Sequence, residues 1–122
     1  MFDLAGGNPK AMPLSKAAIG WFVDETRAKP EDAKSPMLNL TTMADLKGLP
    51  PATVINAEID PLYSDEGMLA EKLKAAGVKT THLTNKGVTH EFFGFDAVVA
   101  DAKTAQDAAA RDLKAAFGTA SR

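Results

Sequence analysis

The chain has 122 residues, 45% hydrophobic and 25% charged, with a formal net charge of −2 and a pI near 5.6, which is the make-up of one globular domain. Without a basic stripe to neutralise phosphates it is not built for nucleic acid as its main partner, and no apolar run approaches the roughly 20 residues that cross a bilayer. The absence of cysteine removes disulfides, thiolate metal sites and cysteine nucleophiles together.

The start, Met1-Phe-Asp-Leu-Ala-Gly-Gly-Asn8, has an acid where a secretion signal carries basic residues, and no long apolar core follows. As written the chain reads as cytoplasmic, although a longer parent could carry a leader. Residues 1–13 read as an extended lead-in, 14–118 as the folded section and 119–122 as a tail. Leu14, Ala17, Ala18, Trp21 and Phe22 have the spacing of one helix face. Pro13 lies ahead of that helix, which should end near Arg27, before Pro30. Lys29 to Pro51 is polar and holds four of the seven prolines, so it reads as a long loop with one helical turn around Thr42–Leu46.

Thr53-Val-Ile-Asn-Ala is nearly continuous in apolar, β-branched character, the signature of a strand buried on both faces of a parallel sheet. Ser64 suits the N-cap of the next helix, with Asp65 and Glu66 as a solvated first-turn pair. Leu69, Leu73 and Ala76 form its buried stripe, and Gly77 supplies the left-handed position that ends it. Val78 to Thr84 alternates weakly and reads as a second strand, turned by Asn85-Lys-Gly87 into Val88-Thr-His90. A last helix runs from about Ala97 to Phe117, with Val98, Ala102, Ala105, Ala109, Leu113 and Ala116 on one face. Strand–helix–strand implies a parallel crossover, but two parallel strands make a poor sheet alone. The chain therefore reads as part of an α/β fold.

In open α/β sheets reactive groups collect beyond the carboxyl ends of the strands. Asp60 ends the first strand and His90 lies past the second, so neighbouring strands would bring carboxylate and imidazole together. The same residues also suit a turn former before Pro61 and a surface-loop histidine, and spacing alone leaves both readings open. His82 reads as a surface or packed residue, and the histidines have no metal-ligand spacing with a third group.

The runs Gly48-Leu-Pro-Pro-Ala-Thr-Val, Asp60-Pro-Leu-Tyr-Ser-Asp-Glu-Gly67, Ala70-Glu-Lys-Leu-Lys-Ala-Ala-Gly-Val78 and Gly87-Val-Thr-His-Glu-Phe-Phe-Gly94 are specific in combination. Together with Pro13-Leu-Ser-Lys, Trp21-Phe22 and Ser35-Pro36, they resemble the C-terminal part of bacterial hormone-sensitive-lipase-like esterases, in the α/β-hydrolase superfamily. The likeness covers about residues 12–117. It implies a partial α/β-hydrolase fold, with few parallel strands and flanking helices, completed by a partner chain or a missing N-terminal part. It also implies short-chain ester hydrolysis through a Ser-Asp-His triad, with His90 as general base and then acid, Asp60 orienting it, and no cofactor. The helix of Trp21 and Phe22 would lie near the acyl pocket, and Leu62 and Phe92, beside the two motif residues, join them as pocket candidates. Where the family commonly has glycine after the histidine, this chain has Glu91.

The triad's serine sits, in that family, on a Gly-x-Ser-x-Gly turn behind a His-Gly-Gly segment, and neither motif occurs here. Ser15, Ser35, Ser64 and Ser121 all lack the flanking glycines. The nearest echo is Asp3-Leu-Ala-Gly-Gly-Asn8, which resembles the family's Asp-Ser-Ala-Gly-Gly-Asn with Leu4 in the serine's place. The chain thus supplies no nucleophile of its own in the expected setting. Its partners would be a small ester and either the missing N-terminal half or another copy. The rival reading is a non-catalytic α/β module, derived from the same fold, that associates through its sheet edge.

Overall fold

The computed structural model describes residues 7–8, 11–42 and 44–118. Helix α1 spans Lys16–Glu25 and is capped by Ser15, whose Oγ accepts the Ala18 N–H at 3.1 Å. Its inward side differs from the face the spacing suggested. Ile19 is the buried residue, with Ala18 and Val23 half-buried, while Trp21 and Phe22 stack edge-to-face on each other and stay exposed. Where a helical turn was expected at Thr42–Leu46, the described residues of that span are not helical. The Asn39 Oδ1 instead accepts both the Thr42 N–H (3.2 Å) and its hydroxyl (2.6 Å), a local alternative to helical bonding. The loop's short helix is a 3₁₀ turn at Pro30–Lys34, opened by its proline, with the Asp32 carboxylate accepting the Lys29 N–H.

Strand β1 (Ala52–Ile59), helix α2 (Tyr63–Ala75) and strand β2 (Thr80–Thr89) form the crossover, and the strands pair in parallel from Ala52↔Thr80 to Ala57↔Asn85. Alternation along β1 sorts its side chains between two cores. Ala52 and Val54 pack with Leu46, Leu73 and Val78 under α2, and Ile55 and Ala57 pack with Val88, Phe92, Ala102 and Ala105. Burying Leu73 alone contributes about 2 kcal/mol. Helix α2 closes with both bonds of a Schellman motif, Gly77 N–H to Lys74 C=O (3.0 Å) and Val78 N–H to Leu73 C=O (3.0 Å), and Gly77 takes the left-handed φ of 81°. The start of α2 corrects the sequence reading. Leu62, not Ser64, occupies the cap position, and Ser64 lies within the first turn.

Helix α3 (Ala100–Ala116) lies over the opposite face, held by small residues at Ala102, Ala105 and Ala108. It starts three residues later than the apolar pattern suggested, and Val98 is exposed. Its last turns also sit otherwise than expected. Leu113 is 55% exposed, and Asp112 faces the sheet, its Oδ2 accepting the Thr53 hydroxyl at 2.8 Å. That bond, followed by those of Arg111 and Thr81, holds the Asp112 carboxyl below the usual range.

The sheet has two strands among the described residues, so β1 has one unpaired edge. This explains why Thr53, Val54 and Ile55 are half-buried although both faces of the strand are covered.

Asn85-Lys-Gly87 is not a turn between elements but a bulge inside β2, where Gly87 has φ 70° and the Glu58 carboxylate accepts its N–H at 2.8 Å. Pairing resumes at Ile59↔Thr89, so two steps along β1 face four along β2. The even number of extra residues preserves which face each side chain meets, and it brings position 90 level with position 60. A Cβ at Gly87 would meet no atom within 4 Å, so any cost of substitution comes from the backbone angle. Gly87→Ala should therefore cost about 1–2 kcal/mol in urea unfolding, and Gly87→Asn clearly less, because asparagine tolerates left-handed angles. Equal losses would show that the angle is not what limits this position.

Candidate active site

Asp60 follows β1 and is 1% exposed. Its Oδ1 accepts the Leu62 N–H at 2.8 Å, the local closure that aspartate makes at turns, and its backbone carbonyl accepts the Asn8 and Tyr63 N–H groups. The Oδ2 lies 2.7 Å from His90 Nδ1, and the His90 side chain is 33% exposed. An ionised carboxylate can only accept, so in this pair Nδ1 carries the proton and Nε2 keeps its lone pair. A fixed tautomer backed by a buried carboxylate is the equipment of a general base.

The pair opens onto a cleft of about 340 Å³. Ile55, Phe92 and Phe93 give its apolar walls, and Asp60, Glu66 and His90 its polar end. Phe92 thus both lines the cleft and belongs to the core. Leu62 contributes its amide to Asp60 and does not line the cleft, nor do Trp21 (59% exposed) and Phe22, which lie on α1. On the α2 face of the sheet, His82 Nε2 is 3.0 Å from Oδ1 of buried Asn56, a packed polar pair away from the cleft.

Gly7 and Asn8 are seated against the same corner. A Cβ on Gly7 would fall 2.0 Å from the Pro61 carbonyl oxygen, so only glycine allows this approach, and the Asn8 N–H donates to the Asp60 carbonyl at 3.1 Å. These two residues end the Asp3–Asn8 echo; Leu4 and the rest of it lie outside the described residues.

Glu66 is the residue that sequence reasoning misplaced. Treated there as half of a solvated pair, it turns inward, with its Oε2 buried and without a hydrogen-bond partner among the described residues. The signal was present in the spacing: Glu66 stands four and seven residues before Ala70 and Leu73, on the buried stripe of α2. Burial, then the charges of Asp60 and Asp65, push its pKa up to about 8. Asp60, Glu66 and His90 each place one donor atom within 4.8 Å of the others, so they could also gather round a cation. In this structure two of those groups, Asp60 and His90, bond each other instead.

A family model described as the alpha/beta hydrolase fold matches residues 4–94. The chain belongs to the α/β-hydrolase fold family. It is similar to carboxylesterase NlhH of Mycobacterium tuberculosis, 41% identical over 74 residues, or 61% of this chain and 23% of that enzyme. It is also similar to an ethyl acetate hydrolase of Pseudomonas putida, 27% identical over 89 residues, or 73% of this chain and 28% of the enzyme. The chain thus spans about a quarter of the length of these enzymes. Among solved structures, the thermostable carboxylesterase EstE1 from a metagenomic library superposes with a TM-score of 0.81 at 32% identity, covering 87% of this chain and 36% of that one. The esterase of Pyrobaculum calidifontis superposes at 0.77 and 34%, covering 87% and 34%. This chain is therefore a partial α/β-hydrolase fold: two parallel strands, the helices on both their faces, and the loops at their carboxyl ends. The family match includes position 4, where the echo has leucine.

Because Glu66 binds its proton more tightly folded than unfolded, its contribution to stability is full below its ordinary value near 4.5 and is lost as the pH rises through about 8. The wild-type chain should lose stability across that window relative to Glu66→Gln, measured by urea unfolding at a series of pH values. Parallel profiles would mean that the side chain is solvated and titrates normally.

Proposed function

We propose that this chain is the acid–base section of a serine carboxylesterase acting on short acyl esters, with the serine and oxyanion donors supplied by polypeptide outside these residues. The observation that carries the reading is the 2.7 Å contact between His90 Nδ1 and buried Asp60, placed at the carboxyl ends of two parallel strands. In that chemistry the serine oxygen attacks the ester carbonyl as its proton passes to His90 Nε2. The tetrahedral adduct collapses, the departing alkoxide takes that proton, and an acyl-serine remains. Water then repeats the sequence, losing a proton to Nε2 that passes to the departing serine oxygen as the acid is released. Asp60 accepts from Nδ1–H throughout and stabilises the imidazolium. The aromatic and aliphatic walls of the cleft suit a small acyl or alkyl group.

Alone, the chain should hydrolyse p-nitrophenyl butyrate only feebly. Co-expression with the N-terminal section of a related carboxylesterase, carrying its serine but not its own aspartate and histidine, should restore turnover. In that assembly Asp60→Asn should lower kcat by about 10⁴-fold by permitting the wrong tautomer. Restored turnover that survives His90→Ala unchanged would remove this histidine from the reaction.

A second reading, a non-catalytic module, draws support from Leu4 at the serine's place in the echo, from the unpaired edge of β1 and from exposed Leu113 and Phe117. Leu4→Ser separates the two. If the echo is a silenced nucleophile turn, the variant should react with a fluorophosphonate probe while wild type does not, and His90→Ala should suppress the labelling. An unlabelled Leu4→Ser chain would mean that position 4 is not such a turn.

A further inference from the structure

The family assignment gives no work to the buried acid beside the Asp60–His90 pair. We infer that Glu66 is a positioning residue: it packs against the pair as an uncharged acid, leaving Asp60 as the one carboxylate charge that the imidazole faces. The geometry is the main argument. Glu66 enters from the first turn of α2, Asp60 from the end of β1 and His90 from beyond β2, and their donor atoms converge within 4.8 Å. The Glu66 Oε2 is shut off from solvent and accepts no hydrogen bond from the described residues, so a negative charge there would lack a donor among them. The first turn of a helix ordinarily welcomes an anion, and Asp65 is one such. For Glu66, burial and two neighbouring carboxylates outweigh that preference, in keeping with its upward shift.

The titratable groups that bear on it are Asp60 after β1, Asp65 on its own helix and His90 after β2, whereas the 3₁₀ turn at Phe92–Gly94 brings only the Phe92 and Phe93 rings to the cleft. The consequence for the base is directional. Were Glu66 ionised, a second negative charge would favour the imidazolium and leave less of the ring in the neutral form that can accept a proton. Held neutral, it fills the space behind the pair without that charge. The role rests on reading His90 as the base, but the neutrality of Glu66 can be measured without any substrate.

The test is the pH titration of the His90 ring nitrogens by ¹⁵N NMR in the folded 122-residue chain. In wild type the ring should report its own step and a second, smaller inflection near pH 8, where Glu66 ionises. Glu66→Gln should abolish the second inflection and leave the first midpoint within about 0.3 pH units, because the amide mimics the neutral acid. A His90 midpoint lower by a unit or more in Glu66→Gln would mean that Glu66 was already charged, and would overturn the proposal. So would a second inflection that persists in the variant. Should the variant fail to fold, the Glu66 side-chain carbon of ¹³C-labelled wild type decides by itself. A midpoint near 8 supports the assignment, and one near 4.5 ends it. Failed complementation in the hydrolysis assay would leave these signals untouched, so the two ideas fall separately.

Discussion

A carboxylate with almost no exposed surface must find partners or become neutral, and the arrangement of this chain follows from how Asp60 finds them. One oxygen takes the amide of Leu62, which draws the chain into α2, and the other takes the imidazole of His90. Leaving either oxygen unpaired would cost on the order of 1–3 kcal/mol, and more for the charged group. The carboxylate thus joins the end of β1, the start of α2 and the loop beyond β2 at one point, and the cleft opens there. Even the early residues respect it: Gly7 lies against Pro61 with no room for a side chain, and the Asn8 N–H donates to the Asp60 carbonyl.

The rest of the fold supports that point with limited means. Two strands divide their side chains between a core under α2 and a core under α3, which is the layering of an α/β sandwich on a small scale. With one edge of β1 unpaired, the layers leave Leu113 and Phe117 at the surface. The same residues in a longer sheet would have neighbours to meet, and the superposed esterases are about three times as long as the matched region.

Much of this was legible in the residues. The continuous apolar run at Thr53–Ala57, the Leu69–Leu73 stripe and Gly77 announce strand, helix and stop, because local periodicity and a positive φ suffice to decide them. Other features depended on pairing or on distant surfaces. Asn85-Lys-Gly87 has turn chemistry, and a bulge needs the same left-handed glycine; only the partner strand distinguishes them. The buried face of α3 was foreseen at Ala102 and Ala105 but misjudged in its last turns, because apolar spacing favoured Leu113, whereas a hydroxyl at Thr53 gave Asp112 a reason to face the sheet. Trp21 and Phe22 looked like a packing face, yet α1 turns Ile19 inward instead. Glu66 was hidden by its type, since an acid in a first turn is usually taken to be wet.

One consequence of the bulge concerns the genetics of this segment. Lys86 at its tip is exposed and can change in kind with small effect, whereas Gly87 is held by its left-handed φ of 70°. The number of residues is bound by parity. One residue lost between Asn85 and Thr89 would leave an odd excess and swap the two sides of everything that follows. Two lost would let two steps face two, removing the bulge while keeping the sides and leaving the imidazole level with Asp60. Length here should therefore change by pairs of residues and not singly.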